Sequence, residues 1–391
     1  MGQRAKTESR EMVNQEVVSL DLAQAHLRVW ERLWQINRSE QIGSAYLFSG
    51  STGSGKEGLA IQFAQLLNCE VPEEKPCDTC PSCQRFNQLQ HEKLTIIFPL
   101  PTPKKTSSDD PNTINKQDLD LVTEAIAAKA KDPFYKIQIP KANRILIQSV
   151  RELRKSLYLK TERDGRKIVL FFDAHLLSAG QGEAANALLK ILEEPPENTT
   201  LILVTDHVEL LLPTILSRCQ RIGIPNLEDD FVREWLRTKM VKESDIPLLA
   251  GLSRGNIHQA RHLISQPIGD LMKLMNALVK TITNEEPDHW RKFTQTYSRL
   301  ANQDLDTFSF HFMMLKIWFQ SAARLKKDVD DILHDTAFKP GMERLIKSHP
   351  NADFSAIAFE LEEAILSVPQ NLYMPLILTN LLLRIQKHLS P

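Results

Sequence analysis

Residues 50–57 read GSTGSGKE. The first seven positions fit the phosphate-loop pattern G-x-x-x-x-G-K-[ST]. In that pattern glycines let backbone N–H groups approach a phosphate at a helix N-terminus, and the lysine reaches the outer phosphates. Gly50, Gly53, Gly55 and Lys56 are therefore candidate ligands of ATP. The eighth position requires a hydroxyl that ligates Mg²⁺ and holds Glu57 instead. A carboxylate can bind Mg²⁺, but it is longer, and its charge repels phosphate oxygens. The second half of such a site is an acidic pair closing an apolar strand. IVLFFDAH at 168–175 supplies Asp173 as a Mg²⁺ ligand and then Ala174, where a carboxylate would polarise the attacking water. His175 follows, but reads more simply as a loop histidine. Both departures hurt hydrolysis more than binding, so the loop suits either a nucleotide held without turnover or no nucleotide at all.

Four of the five cysteines fall in CEVPEEKPCDTCPSC: Cys69, Cys77, Cys80 and Cys83. Two C-x₂-C spacings share Cys80. In a reducing compartment this clustering marks a closed tetrahedral zinc site, structural because four thiolates leave no open position. A further candidate is Arg218 in SRC at 217–219. An arginine at the edge of a nucleotide-binding domain can act on a neighbour's phosphate, although a surface arginine is the plainer reading without other context.

The elements that must position these residues follow from periodicity. Residues 20–36 predict a helix. SAYLFSG at 44–50 predicts a short buried strand running into the glycine loop, and 57–69 a helix after it, the setting the phosphate-loop motif needs. Residues 99–118 are rich in Pro, Ser and Asp and predict an exposed loop. Helices are expected at 147–159 and through EAANALLKILEEPPEN, which Pro195 and Pro196 stop. The apolar runs at 168–173 and 201–205 predict central parallel strands. Strands alternating with helices up to about residue 225 argue for an α/β domain. Beyond 226 the pattern is helical. Phe231, Trp235 and Met240 fit one face, and Leu305, Phe308, Phe312, Leu315, Phe319 and Ala322 fit a core-facing stripe, as do Phe354, Ile357, Leu361 and Ile365.

The bulk numbers agree with a globular chain of two to three domains. There are 391 residues, 42% of them hydrophobic, with 48 Lys plus Arg against 49 Asp plus Glu. The balance leaves no field to hold a polyanion unaided. No apolar run is long enough to span a bilayer, and the polar start lacks the core of a signal peptide, so the expected location is the cytoplasm.

In the order and spacing of AYLFSGSTGSGK, the four-cysteine cluster, IQSVRELRKSLYL, ANALLKILEEPPENTTLILVT and TILSRC, the chain resembles the AAA+ clamp-loader subunits of bacterial DNA polymerase III. The resemblance covers about residues 20–265 closely, and the remainder only by length and helicity. It implies an α/β AAA+ P-loop domain with a parallel sheet over 1–225, carrying a zinc module at 69–83. A small helical lid domain over 226–270 and an all-α collar domain over 271–391 would follow. It also implies a place in a hetero-pentamer with gamma or tau motor subunits and delta. Such a ring acts on a sliding clamp, and on primer-template DNA mainly through the complex.

Two kinds of subunit share these motifs. Motors keep Ser or Thr after the loop lysine and an acidic pair on the strand. A non-motor kind has a degraded ATP site and keeps the SRC arginine. Glu57, Ala174 and His258 all side with the non-motor kind; His258 stands in GNIHQA where the motor's sensor arginine falls, with Arg254 out of register. The resemblance then implies weak or absent hydrolysis by the chain itself, with Arg218 as an arginine finger in trans. Thr205 would take the family's polar sensor position. Two departures stand out: Ser44-Ala45 replaces the usual His-Ala, and 99–140 looks like an insertion. Two other readings stay open. One is an active gamma- or tau-like ATPase in which Glu57 holds Mg²⁺. The other is a zinc-stabilised nucleic-acid-binding protein with a vestigial ATPase fold, against which neutral charge and the lack of interleaved aromatic and basic residues argue.

Overall fold

The structure is a computed structural model that describes residues 21–39, 41–102, 116–158, 165–368 and 372–390. The polar N-terminus and most of the loop read at 99–118 lie outside the described residues. The chain enters through two short helices, α1 (Leu22–Ala25) and α2 (Leu27–Arg38), where a single helix was expected. His26 separates them because its backbone leaves helical angles and its ring is buried.

Strand β1 (Ala45–Ser49) leads into the glycine loop and α3 (Lys56–Leu66). Next come α4 (Pro81–Asn87), β2 (Leu94–Ile97), α5 (Lys116–Lys131), α6 (Ile147–Leu157) and β3 (Lys167–Phe171). The α/β part closes with α7 (Glu183–Glu193), β4 (Thr199–Thr205), α8 (Pro213–Leu216) and β5 (Gln220–Gly223). All strand pairings are parallel, in the order β2-β3-β4-β1-β5. β2 and β5 are edge strands, short and only partly buried, and the sequence pattern had not revealed either one.

The continuous apolar runs of the central strands follow from burial on both faces. Tyr46, Phe48, Ile168, Leu170, Ile202 and Val204 point to one side, where Leu59 and Phe63 of α3 complete the core. Leu47, Val169, Phe171, Leu201 and Leu203 point to the other, against Val150 and Leu153 of α6 and Leu188 and Ile191 of α7. In this three-layer arrangement β3, β4 and β1 are neighbours, so their carboxyl ends meet at the strand-order switch, where open α/β sheets place their ligand sites.

After β5 the described chain is helical: α9 (Asp229–Thr238), α10 (Ile246–Ser253) and α11 (Ile257–Ile264) form a small group. Six further helices follow, namely α12 (Ile268–Thr283), α13 (Pro287–Gln303), α14 (Leu305–Lys326), α15 (Lys339–Ser348), α16 (Phe354–Ser367) and α17 (Met374–Leu389). Phe308, Phe312, Leu315, Phe319 and Ala322 of α14 are buried as the stripe predicts, whereas Leu305 at its start is exposed. Met240 does not share the face of Phe231 and Trp235: it is 79% exposed in the turn beyond α9. Asp331 ties the small group to the later helices, accepting from Arg254 at 2.8 Å and Arg324 at 2.9 Å. Among the described residues no helix is long and apolar enough to cross a membrane.

Candidate functional site

The glycine loop sits where the sheet topology predicts. Gly53 (φ +73°) and Gly55 (φ +85°) take left-handed angles that an L side chain resists. The loop is packed on every side: a Cβ on Gly53 would fall 2.0 Å from Asn256 Oδ1, and one on Gly55 would fall 2.7 Å from Leu22 Cδ2 and 3.1 Å from Phe134 Cε1. Beneath it, His26 Nε2 donates to the Ser54 carbonyl at 2.8 Å. Above it, the Ile257 N–H donates to the Gly53 carbonyl at 3.1 Å, seating the start of α11 on the loop.

Lys56 is buried and does not reach outward. Its ammonium lies 3.0 Å from Asp206 Oδ1 and donates to the Ser51 carbonyl at 3.1 Å. Asp206, the residue after Thr205, also accepts from Thr52 Oγ1 at 2.6 Å. A second lysine, Lys136, stands between two carboxylates, 3.0 Å from Asp173 Oδ1 and 3.4 Å from Asp206 Oδ2. Burial works against the charge on Lys136, but Asp173 and Asp206 overcome it and hold its pKa above the ordinary lysine range. Burial likewise opposes ionisation of Asp206, yet Lys136 and Lys56 hold its carboxyl well below the usual range. Glu57 pairs with a third lysine, the buried Lys129, which also donates to the carbonyls of Pro133 at 2.9 Å and Tyr135 at 2.7 Å. Three carboxylates and three ammonium groups thus neutralise one another inside the site. The space left among Thr52, Lys56, Glu57, Phe134, Lys136 and His258 is about 10 Å³, roughly enough for one water molecule.

Mg²⁺ and ATP do not fit this arrangement. Asp173, the expected metal ligand, leaves the end of β3 in a left-handed conformation (φ +49°) and spends its charge on Lys136. Ala174 opens a one-turn 3-10 segment and is fully buried. His175 is half-buried, with Nδ1 3.0 Å from Thr205 Oγ1, and burial holds its pKa below the ordinary value. Thr205 also accepts from the His207 N–H at 3.0 Å, so its hydroxyl is occupied locally. His258 donates from Nε2 to the Phe134 carbonyl at 2.6 Å, and Arg254 is turned away onto Asp331.

The four cysteines form a separate centre at the far end of α3. Their sulfurs all lie within 4.8 Å of one another. A tetrahedral Zn–S bond of about 2.3 Å implies sulfur–sulfur spacings of roughly 3.8 Å, and Cys77 and Cys83 are 3.9 Å apart. The N–H groups of Cys77, Cys80 and Cys83 point at the sulfurs of Cys69, Cys77 and Cys80, at 3.3–3.4 Å. Backbone N–H groups of Cys80 and Thr79 pull the Cys77 thiol down to about 6, whereas burial pushes the Cys69 and Cys83 thiols up, so it is the sulfur geometry that favours a metal. The set can bind a structural metal such as zinc. Gln65 of α3 bonds to Asp78 and Asn87, fastening the cluster to the helix that starts at the phosphate loop.

Arg218 lies elsewhere. It stands two residues before β5, which runs parallel to β1, so it sits at the amino end of the sheet while the glycine loop sits at the carboxyl end. At about 3.3 Å per residue the strand alone separates them by roughly 15 Å. Its guanidinium is partly exposed, held by Glu193 Oε1 at 2.7 Å and by the Thr214 carbonyl at 2.9 Å.

Comparison with known proteins is consistent with this geometry. The sequence family described as DNA polymerase III, delta subunit, matches residues 25–228, just over half of the chain. The chain belongs to the DNA polymerase III clamp-loader family. It is 26% identical over 252 residues to subunit tau of Bacillus subtilis, covering 62% of this chain and 37% of that one. It is 26% identical over 236 residues to the delta' subunit of the same organism, covering 60% and 58%. For the delta' subunit of Haemophilus influenzae it is 29% over 237 residues, covering 57% and 59%. The matched stretch therefore spans less than two thirds of each of these relatives. A gamma subunit-related protein of Thermotoga maritima aligns over 92% of this chain and 99% of that one at 18% identity, with a TM-score of 0.36.

Clamp-loader membership leaves several residues of the site unforeseen. Lys129 and Lys136 sit at the end of the stretch taken for an insertion, part of which is the helix α5. The run KAKDPFYK carried a usable signal, since it places two lysines seven residues apart around a Pro turn. Asp206 adjoins a residue already singled out. His26 gave no signal, being an ordinary polar residue in a helical stretch.

Proposed function

We propose that the chain is a delta-prime-type clamp-loader subunit, a non-motor scaffold that hydrolyses little or no ATP of its own. It lends Arg218 to the ATP held by a neighbouring motor subunit. The observation that carries this reading is the commitment of Lys56 to Asp206, with room for about one water above the loop. Glu57 and Ala174 remove the Mg²⁺-binding hydroxyl and the water-polarising carboxylate besides. Arg218, at the opposite end of the sheet, has no path to its own loop but is exposed for another chain. In this reading residues 1–225 form the P-loop-type domain, 226–270 the lid and 271–391 the collar that joins gamma or tau and delta in a hetero-pentamer. The assembled ring acts on the sliding clamp and contacts primer-template DNA. The four cysteines hold zinc as a structural ion.

The test is ATPase activity in a reconstituted loader. Arg218→Ala should leave this chain folded and slow hydrolysis by the complex, short of the ~10³–10⁵ that arginine fingers supply in GTPases. Unchanged hydrolysis would reject the role of Arg218. Titration of Mg-ATP into the isolated chain should show no saturable binding.

A further inference from the structure

We propose that residues 129–136 are a tethered ligand: they stand between the phosphate loop and the small helical group 226–270 and fix the two in one orientation without nucleotide. The inference rests on the non-motor reading above and gives the insertion a task. A bound nucleotide joins a phosphate loop to a lid by carrying charge and contact to both. Here one turn of the chain does so, alongside the direct bond from the Ile257 N–H to the Gly53 carbonyl.

Toward the α/β core, Lys136 bridges Asp173 and Asp206, and Lys129 pairs with Glu57. Lys136 thereby places a unit positive charge against Asp173, the carboxylate expected to ligate Mg²⁺, and Lys129 does the same at the position expected to hold the Mg²⁺-binding hydroxyl. Pro133 and Phe134 lie against the start of α3, where a Cβ on Gly58 would fall 2.8 Å from Pro133 Cβ. Toward the small helical group, the Phe134 carbonyl accepts from His258, and Asp132 pairs with Arg261 at 2.7 Å. The Phe134 ring meets Phe231 with centroids 6.0 Å apart. The turn is itself stiffened from within, because Lys129 holds the Pro133 and Tyr135 carbonyls and the Phe134 N–H donates to Asp132 Oδ1 at 3.0 Å. Each of these bonds has one end on residues 129–136, so the same short segment is anchored on both bodies.

Hydrogen exchange of the full chain, followed by mass spectrometry without nucleotide, tests the tether. In the wild type, amides of 256–264 and of 52–58 should exchange slowly. Lys136→Ala combined with Asp132→Asn should speed exchange in 256–264 by about tenfold while leaving strands β1, β3 and β4 protected, as expected of local opening. If the double variant fails to fold, Asp132→Asn and Arg261→Gln, each alone at a partly exposed pair, should give the same regional effect at smaller size. Exchange in 256–264 that matches the wild type in every folded variant overturns the proposal. This readout involves neither Arg218 nor ATP turnover, so the tether can fail while the non-motor reading stands, and the reverse.

Discussion

The two ends of the parallel sheet do opposite things with charge. At the carboxyl end, Lys56, Lys129 and Lys136 meet Glu57, Asp173 and Asp206 in a site with room for about one water. At the amino end, Arg218 is partly exposed and held by a single carboxylate, Glu193, that is itself half exposed. A buried and internally matched set resists any incoming ion, because a newcomer must break existing pairs in a poorly solvated place. An exposed pair contributes at most about 1 kcal/mol and releases its guanidinium readily. The closed end looks inward and the open end is available to a partner.

The largest effect should come from the cysteine centre that backs the closed end through Gln65. Structural zinc contributes on the order of 10 kcal/mol in small zinc-binding peptides, so Cys83→Ser, or a strong chelator, should lower the thermal midpoint sharply. An unchanged midpoint with chelator would show that the four sulfurs carry no metal. Next comes Lys129→Met, which leaves the mostly buried Glu57 without its partner and should cost up to about 3 kcal/mol in urea unfolding. Adding Glu57→Gln should recover a large part; no recovery would mean that the loss came from packing alone. Arg218→Ala should change stability by less than about 0.5 kcal/mol, and a larger loss would break the contrast between the two ends.

Acid should act on the closed end in two stages. Burial holds the pKa values of His26 and His258 below the ordinary value. The unfolded chain therefore takes up protons that the folded chain refuses, and stability should fall as pH drops below about 6.5. Asp206 has the same sign in a lower window: its depressed carboxyl contributes stability that is present above about pH 3.9 and lost only as pH falls toward its folded value. A pH series of urea midpoints that stays flat from neutrality to pH 5 would contradict the histidine part. On activity the smallest expected effect is none: Glu57→Thr with Ala174→Glu repairs both motif lesions at a cost in stability, because Ala174 is fully buried and Lys129 loses Glu57, yet the folded variant should show no ATPase while Lys136 occupies Asp173 and Asp206.

Much of the fold was legible because its signals were local. The apolar runs of β3 and β4 are buried on both faces and so show no alternation, and the stripe on α14 repeats at helical spacing. β2 and β5 escaped because edge strands of four residues bury too little to impose a pattern. The cysteine cluster was readable from spacing alone, since all four ligands lie within 15 residues. Glu57, Ala174 and His258 were visible as departures, but what they face was not. Lys129 and Lys136 come to Glu57 and Asp173 across 72 and 37 positions of chain, and no periodicity encodes a meeting at that distance. Lys56 illustrates the same limit: its motif foretold its place on the loop and said nothing of Asp206.

The ammonium of Lys136 has a consequence for energy sensing. A metal ion exchanges with solution and follows its concentration, whereas a lysine is carried by the backbone and cannot be stripped, diluted or replaced by a product complex. A site that carries its own cation has no free variable for the ratio of ATP to ADP to act on. If the proposed non-motor role holds, such a subunit keeps one geometry in starved and well-fed cells alike.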